Sequence, residues 1–351
     1  MSLIFASLRI LFGGVVILYK GTYFGELAIS FLPHLSIISF LGLLFRVFQL
    51  WKFLYKDKQK NSLKRRLSPL FVLCFWILFG CFLRPIKQFY QPLYQLSQSI
   101  DSPIKVLFSN IYMGNNNIDA IKKMILDENP DVVLFVEFSE EHSQALKDFF
   151  ATHYPYSNTT SRSKIAVGSI VFSKYPIDNL ADDFPQASWR YGYFSIDTEK
   201  WKYYFYEIHT ASPVSKAFFE KRNQQLKQIK SDFFTHHQSQ RESDAKIIML
   251  GDFNTSPRSA YYADFAGSFS GTLENITKTF PILFTRNLWE MLNVHKDFSF
   301  LPLWIRKAWG YFPFFQSHID HVFLSPNLKF KNLKKIQIPG SDHSGFIFEI
   351  E

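Results

Sequence analysis

Asp252 and Asn254 stand one residue apart just past an apolar run, Ile247-Ile248-Met249-Leu250-Gly251, which is entered from a charged loop at Lys246. Four apolar residues closed by glycine predict a buried strand whose C-terminal end has to turn. In extended geometry the acid and the amide project to the same side. The carboxylate of such a pair could bind a metal or take a proton while the amide donates a hydrogen bond. Asp and Asn are also common turn residues, and the same pair suits an Asx turn capping a helix that begins near Pro257.

Five further places put polar groups at the ends of predicted strands. Asn110 follows Ile104–Phe108, Glu137 sits near the end of Val132–Phe138, and His209 closes the strand Trp201–Ile208. Asp320 opens Ile319–Leu324, and Asp342 with His343 precedes the final strand, Phe346–Ile350. A purely structural strand requires none of them. Singly, each has an ordinary explanation as a solvated carboxylate, a core-edge histidine or a chance loop, so the weight lies in their joint order.

The elements that must carry these groups open as strand, helix, strand, helix. Ile118, Ile121, Ile125 and Leu126 recur at helical spacing up to Glu128, with Pro130 as the stop. Ser139 reads as an N-cap, with Glu140 and Glu141 in the first turn of a second helix. The middle reads as antiparallel: Ile165–Phe172, then a hairpin of Tyr191–Ile196 and Trp201–Ile208 across Asp197–Lys200. A long amphipathic helix spans about Pro213–His236, and a Phe/Trp-rich section of weak pattern precedes Ile319. There is no internal repeat.

The series Ser-Asn-Ile (109–111), Val-Glu-Phe (136–138), Ile-His-Thr-Ala-Ser-Pro (208–213), Gly-Asp-Phe-Asn (251–254), His-Ile-Asp-His-Val (318–322) and Ser-Asp-His-Ser (341–344) resembles the endonuclease/exonuclease/phosphatase superfamily. That superfamily includes pancreatic-type deoxyribonucleases, apurinic endonucleases, neutral sphingomyelinases and inositol-polyphosphate 5-phosphatases. The resemblance covers about residues 103–351 and implies an α+β fold, a four-layer α/β/β/α sandwich of two packed, mostly antiparallel sheets flanked by helices. It also implies roles. Glu137 would hold Mg²⁺ or Mn²⁺, with Asn110 and Asp342 nearby. Asp252 would orient or deprotonate the attacking water, and Asn254 would donate to a phosphate oxygen. His209 and His343 would contact the phosphoryl group, and Asp320 would fix the tautomer of His343. His318 and His321 flank Asp320 without a role and, by alternation, point to the opposite face.

Charge divides the chain. Its net +9 invites a nucleic-acid reading, but 12 of the 39 basic and only two of the 30 acidic residues fall in positions 1–100, a balance of +10. The rest holds 27 basic against 28 acidic residues, a balance of −1. The larger domain thus lacks the Lys/Arg stripe of a duplex-gripping nuclease, and no base-stacking element is evident. The helix bearing Lys216, Lys221, Arg222, Lys227 and Lys230 is the one basic candidate, better read as a solvated face. Cys74 and Cys81, seven residues apart in an apolar run, read as small hydrophobes, and cysteine usage leaves the compartment open.

Two uncharged runs, Leu27–Phe45 of 19 residues and Leu67–Leu83 of 17, fit membrane-spanning helices. A third, residues 3–19, is interrupted by Arg9. Between the later two lie Lys52, Lys56, Lys58, Lys60, Lys64, Arg65 and Arg66, which the positive-inside rule places in the cytoplasm. The expected layout is a transmembrane region at 1–84, a linker at 85–102 and a catalytic domain at 103–351 lying outside the cytoplasm, on a multi-pass protein of the cell membrane. The expected function is a membrane-anchored, divalent-metal-dependent phosphohydrolase acting on a phosphate ester of nucleic acid or of a lipid head group, with no protein partner. A catalytically silent, membrane-tethered binding module on the same fold is the alternative. A transporter built on the N-terminal helices is disfavoured by their few ionisable residues.

Overall fold

The structure, a computed structural model, describes residues 21–30, 103–158, 168–180, 191–239, 245–277, 285–287 and 316–351, with isolated positions at 45, 48, 49, 52, 290, 300, 302, 304 and 305. The chain divides into two units, Met1–Pro92 and Leu93–Glu351. The first contributes α1 (Tyr23–Ser30). The expected spans at 3–19 and 67–83 and the linker at 85–102 lie outside the described residues, and the span at 27–45 is described only at 27–30 and 45. Among the described residues no helix is long and apolar enough to cross a membrane.

The second unit runs β1 (Ile104–Asn110), α2 (Ile118–Glu128), β2 (Val132–Phe138), α3 (Glu140–His153), β3 (Tyr156–Ser157), β4 (Gly168–Ser173), β5 (Ile177–Asn179), β6 (Tyr191–Asp197) and β7 (Lys202–His209). It continues with α4 (Lys216–Ser239), β8 (Lys246–Asp252), α5 (Ala260–Ser268), β9 (Glu274–Asn275), β10 (Arg286–Asn287), β11 (Gln316–Ser317), β12 (Asp320–Leu324), β13 (Phe330–Gln337) and β14 (Ser344–Ile350). One sheet has the order β13-β14-β1-β2-β4-β3 and the other β5-β6-β7-β8-β12-β9, with β10 and β11 paired apart. Among the described residues β1 with β2 and β7 with β8 are parallel and the other pairings are antiparallel.

Alternation along the strands builds the layers. Val106, Phe108, Leu134 and Val136 of the first sheet bury against Phe194, Phe205, Ile248, Leu250, Val322 and Leu324 of the second. The intervening residues face outward. Leu107, Val133 and Phe135 pack with Ile121 and Ile125 of α2 and Leu146 and Phe150 of α3. Tyr206, Met249 and Phe323 pack with Leu226, Ile229 and Phe233 of α4 and Phe265 of α5. Each sheet thus buries both faces, which is why its strands read as near-continuous apolar runs. The result is the expected sandwich of two sheets between helices.

Local signals are answered with small differences. Ser139 caps α3 by accepting from the His142 N–H, and the His142 ring closes the box in the place of the usual Glu or Gln. Leu126, grouped with the buried face of α2 on spacing, is 53% exposed. It lies five residues from Ile121, about 140° around a helix of 3.6 residues per turn. Arg222, read as part of a solvated face, is buried, because it shares its side of α4 with Phe219, Leu226 and Ile229. Lys216 and Lys227 remain exposed as expected.

Candidate active site

Gly251 is where the site is made. Its φ is +151°, and a Cβ there would come within 1.9 Å of the Ile208 carbonyl oxygen, so only glycine lets β7 and β8 approach. Parallel pairing then sets His209 opposite Asp252, and antiparallel pairing sets Asp320 opposite Asp252. By alternation from Ile248 and Leu250, and from Val322 and Leu324, both aspartates lie on the inter-sheet side of their strands. His321 falls on the other face.

Asp252 and Asn254 are not related by extended strand geometry. Asn254 has φ +47°, and its N–H donates to Asp252 Oδ1 at 2.8 Å, so the Asx turn and the same-site reading are both realised. The following helix, α5, is capped by Ser259 rather than by this turn. Every carbonyl from 252 to 255 accepts a hydrogen bond: Asp252 from Thr210 N (3.0 Å), Phe253 from Thr210 Oγ1 (2.6 Å), Asn254 from Arg222 Nη1 (2.9 Å) and Thr255 from His321 Nε2 (3.0 Å). Asn254 Nδ2 in turn donates to the Thr210 carbonyl at 3.0 Å. His321, which had no role in the sequence, is thus a brace for this loop, and its Nδ1 accepts from Asn275 Nδ2. The His318 ring stacks on it, with ring centroids 4.8 Å apart.

Glu137 reaches the site through a break in register. Val133 and Phe135 face the helices, and so does Phe138, which strict alternation would place on the inner side. The β2–β4 register shifts between Phe135 and Phe138, and Glu137 takes φ +57°, an unusual conformation for a residue with a long side chain. Its Oε1 accepts from Asn110 Nδ2 at 3.0 Å and lies 3.7 Å from His209 Nε2 on the other sheet. Its Oε2 accepts from the Met113 N–H at 3.2 Å. Asn110 Nδ2 also lies 3.2 Å from Asp252 Oδ2, so one amide spans the gap between the sheets.

The Ser-Asp-His-Ser turn closes the ring. Ser341 Oγ donates to the Asn110 carbonyl at 2.8 Å and accepts from the His343 N–H at 3.0 Å, pinning the turn to the end of β1. His343 Nδ1 donates to Asp320, at 3.1 and 3.0 Å from its two oxygens, which leaves Nε2 turned to Asp252 Oδ2 at 3.8 Å. Asp342 Oδ2 accepts from Arg286 Nε at 2.9 Å. All eight residues named from the sequence therefore gather at one end of the two sheets. Arg286 was missed.

These contacts set the charges. Burial works against a charged His343, but Asp320, Asp342 and Asp252 outweigh it and its pKa is pushed up to about 10. Burial and the neighbouring Asp320 push Asp252 up to about 7, against the pull of His343, the Asn254 N–H and Arg286. Burial would also raise Glu137, but His209, the Asn110 amide and His343 hold it below the usual carboxylate range. The donors are carboxylates, an amide and imidazoles, with no thiol, which suits a hard divalent ion. Asp252, Asp320 and His343 offer ligand atoms within 4.8 Å of one another and could hold a metal. Glu137 is another carboxylate beside this group, and Asn110 turns its Nδ2 toward Glu137 and Asp252 while its Oδ1 accepts from the Tyr112 N–H at 3.0 Å.

The model of the Endonuclease/Exonuclease/phosphatase family matches residues 107–343. A search of curated proteins finds no significant match. Among solved structures, D. rerio TDP2 complexed with a single-strand DNA product aligns at TM-score 0.52 and 19% identity, over 72% of this chain and 100% of that one. A humanized D. rerio TDP2 with 14 mutations aligns at TM-score 0.51 and 17% identity, over 71% and 99%. At those identities the likeness is one of fold. The family match takes in more than half of the 351 residues and runs from β1 through His343, and the chain therefore belongs to the Endonuclease/Exonuclease/phosphatase family.

Proposed function

We propose that this chain is a divalent-metal-dependent phosphoric ester hydrolase, cleaving a phosphodiester of nucleic acid or of a lipid head group by attack of water. We further propose that residues 1–84 hold it in the cell membrane with the catalytic domain outside the cytoplasm. The observation that carries the first reading is the meeting of Glu137 and Asn110 from one sheet with His209, Asp252 and Asp320 from the other, around His343. The membrane reading rests on the uncharged runs of 19 and 17 residues and the seven basic residues between them.

Glu137, with Asp342, would hold Mg²⁺ or Mn²⁺ while the Asn110 amide orients the Glu137 carboxylate, and that ion would supply Lewis-acid stabilisation of the phosphoryl oxygens. Asp252 stands ready to orient the water and accept its proton, turned to His343 Nε2 at 3.8 Å and to the Asn110 amide at 3.2 Å. His343, held as a cation by Asp320, offers Nε2 to the negative charge that develops at phosphorus. His209 and the Asn254 amide would donate to other phosphoryl oxygens.

Hydrolysis of a bis-aryl phosphodiester by the full chain, with and without chelator, tests the reading alongside Asp252→Ala and His343→Ala. Each substitution is expected to lower kcat by roughly 10²–10⁴-fold, the usual weight of a positioned acid or base. Undiminished turnover in either variant, or turnover indifferent to chelator, contradicts the assignment.

A further inference from the structure

Arg286 lies in a two-residue strand within the stretch whose sequence showed little pattern, yet the structure places it at the electrostatic centre of the site. Its main chain bridges His343, and the Asn287 N–H donates to the Asp342 carbonyl at 2.8 Å. The Ser344 N–H donates to the Thr285 carbonyl at 2.6 Å, and Thr285 Oγ1 accepts from the N–H groups of Ile319 and Asp320 at 3.1 Å each. The backbone around Arg286 is therefore sewn to both segments that carry Asp320, Asp342 and His343. Its guanidinium donates through Nε to Asp342, and Asp252 and Glu137 are the next carboxylates in its field. The side chain is 19% exposed, so solvent reaches part of it.

Four carboxylates, Glu137, Asp252, Asp320 and Asp342, make this a site that attracts cations and repels a phosphate ester. A guanidinium is charged at every working pH and presents a planar fork of donors that suits phosphate. We infer that Arg286 is a specificity-determining residue that gives the carboxylate-rich site its affinity for an anionic substrate, facing the phosphate while pairing with Asp342. The identity of that anion rests on the phosphohydrolase reading; the charge balance does not.

The two ends of this trade have opposite signs, which separates it from a structural role. Removing one positive charge should tighten metal binding and weaken anion binding. If Arg286 served only to hold Asp342 in place, its loss would weaken metal binding. The experiment is calorimetric titration of the full chain with Mn²⁺, then of the Mn²⁺-loaded protein with inorganic phosphate, for the native chain, Arg286→Gln and Arg286→Lys. Arg286→Gln is expected to bind Mn²⁺ several-fold more tightly and phosphate roughly ten- to a hundred-fold more weakly, the range of a charge-assisted hydrogen bond. KM for a bis-aryl phosphodiester should rise in parallel. Arg286→Lys keeps the charge, is expected to recover most of the phosphate affinity, and carries the test where the glutamine variant does not fold. Weaker Mn²⁺ binding in Arg286→Gln, or unchanged phosphate binding, overturns the inference. Absence of phosphodiester hydrolysis by the native chain, with both titrations behaving as stated, defeats the hydrolase reading and leaves this one standing.

Discussion

At the scale of single residues, pH separates the two central groups by sign. His343 is a cation whose folded pKa of about 10 lies above the ordinary value near 6.5. In the metal-free protein its stabilisation is complete below about pH 6.5 and is lost as pH rises through about 10. Asp252, pushed up to about 7, binds more protons folded than unfolded between its ordinary value of 3.8 and about 7, so its contribution falls as pH rises through that window. Thermal melting of the chelated full chain should therefore decline from mildly acidic pH towards pH 10, and His343→Gln should flatten the upper half of that decline. An unchanged slope in the variant would remove the buried imidazolium from the account. Asp252, Glu137 and His343 were legible because a polar residue at the end of an apolar strand needs a reason. Arg286 was not, because a two-residue strand has no period to read. Arg222 was misplaced, because residue type alone does not tell which side of a helix meets the protein.

At the scale of elements, function depends on strands brought closer than side chains allow. Gly251→Ala puts a Cβ onto the Ile208 carbonyl and forces a positive φ on alanine, so it should cost roughly 3 kcal/mol or more. A melting temperature within a degree or two of the native protein would show that the β7–β8 approach is looser than described. Helix α4 is expected to act on the site without touching substrate. Arg222 donates to the Asn254 carbonyl at 2.9 Å, and Gln225 Oε1 accepts from the Ala211 N–H at 2.7 Å, so the helix grips the loops that follow both parallel strands. Arg222→Met, which keeps much of the packing against Phe219 and Tyr261, should lower kcat by about ten-fold or more, given about 1.5–3 kcal/mol for a hydrogen bond from a charged group. Full activity in that variant would make α4 a mere covering layer. The helices and the β6–β7 hairpin were readable from periodicity and turn position. The bulge that turns Glu137 into the site was not, since a single extra residue leaves the apolar pattern of Val132–Phe138 intact.

At the scale of the whole molecule, the two six-stranded sheets bury a common core and leave their polar ends to meet at one rim. The strands were legible because segments covered on both faces read as apolar runs, the sandwich came from the family resemblance, and the strand order within each sheet is visible only in the structure. The basic excess sits in residues 1–100 and the remainder is near neutral, and the proposed anchoring concerns only the first part. The full chain is expected to stay with membranes after an alkaline carbonate wash, and its release into the supernatant would contradict the proposed anchoring. The claim on which everything rests is that side chains from opposite sheets form one catalytic unit, and a double-mutant cycle of Glu137→Gln with Asp252→Asn, read as kcat/KM on a bis-aryl phosphodiester, tests it most directly. Groups acting as a unit are strongly non-additive, so the double variant should be little worse than the poorer single one, whereas losses that multiply would place the two carboxylates in separate roles and contradict the account.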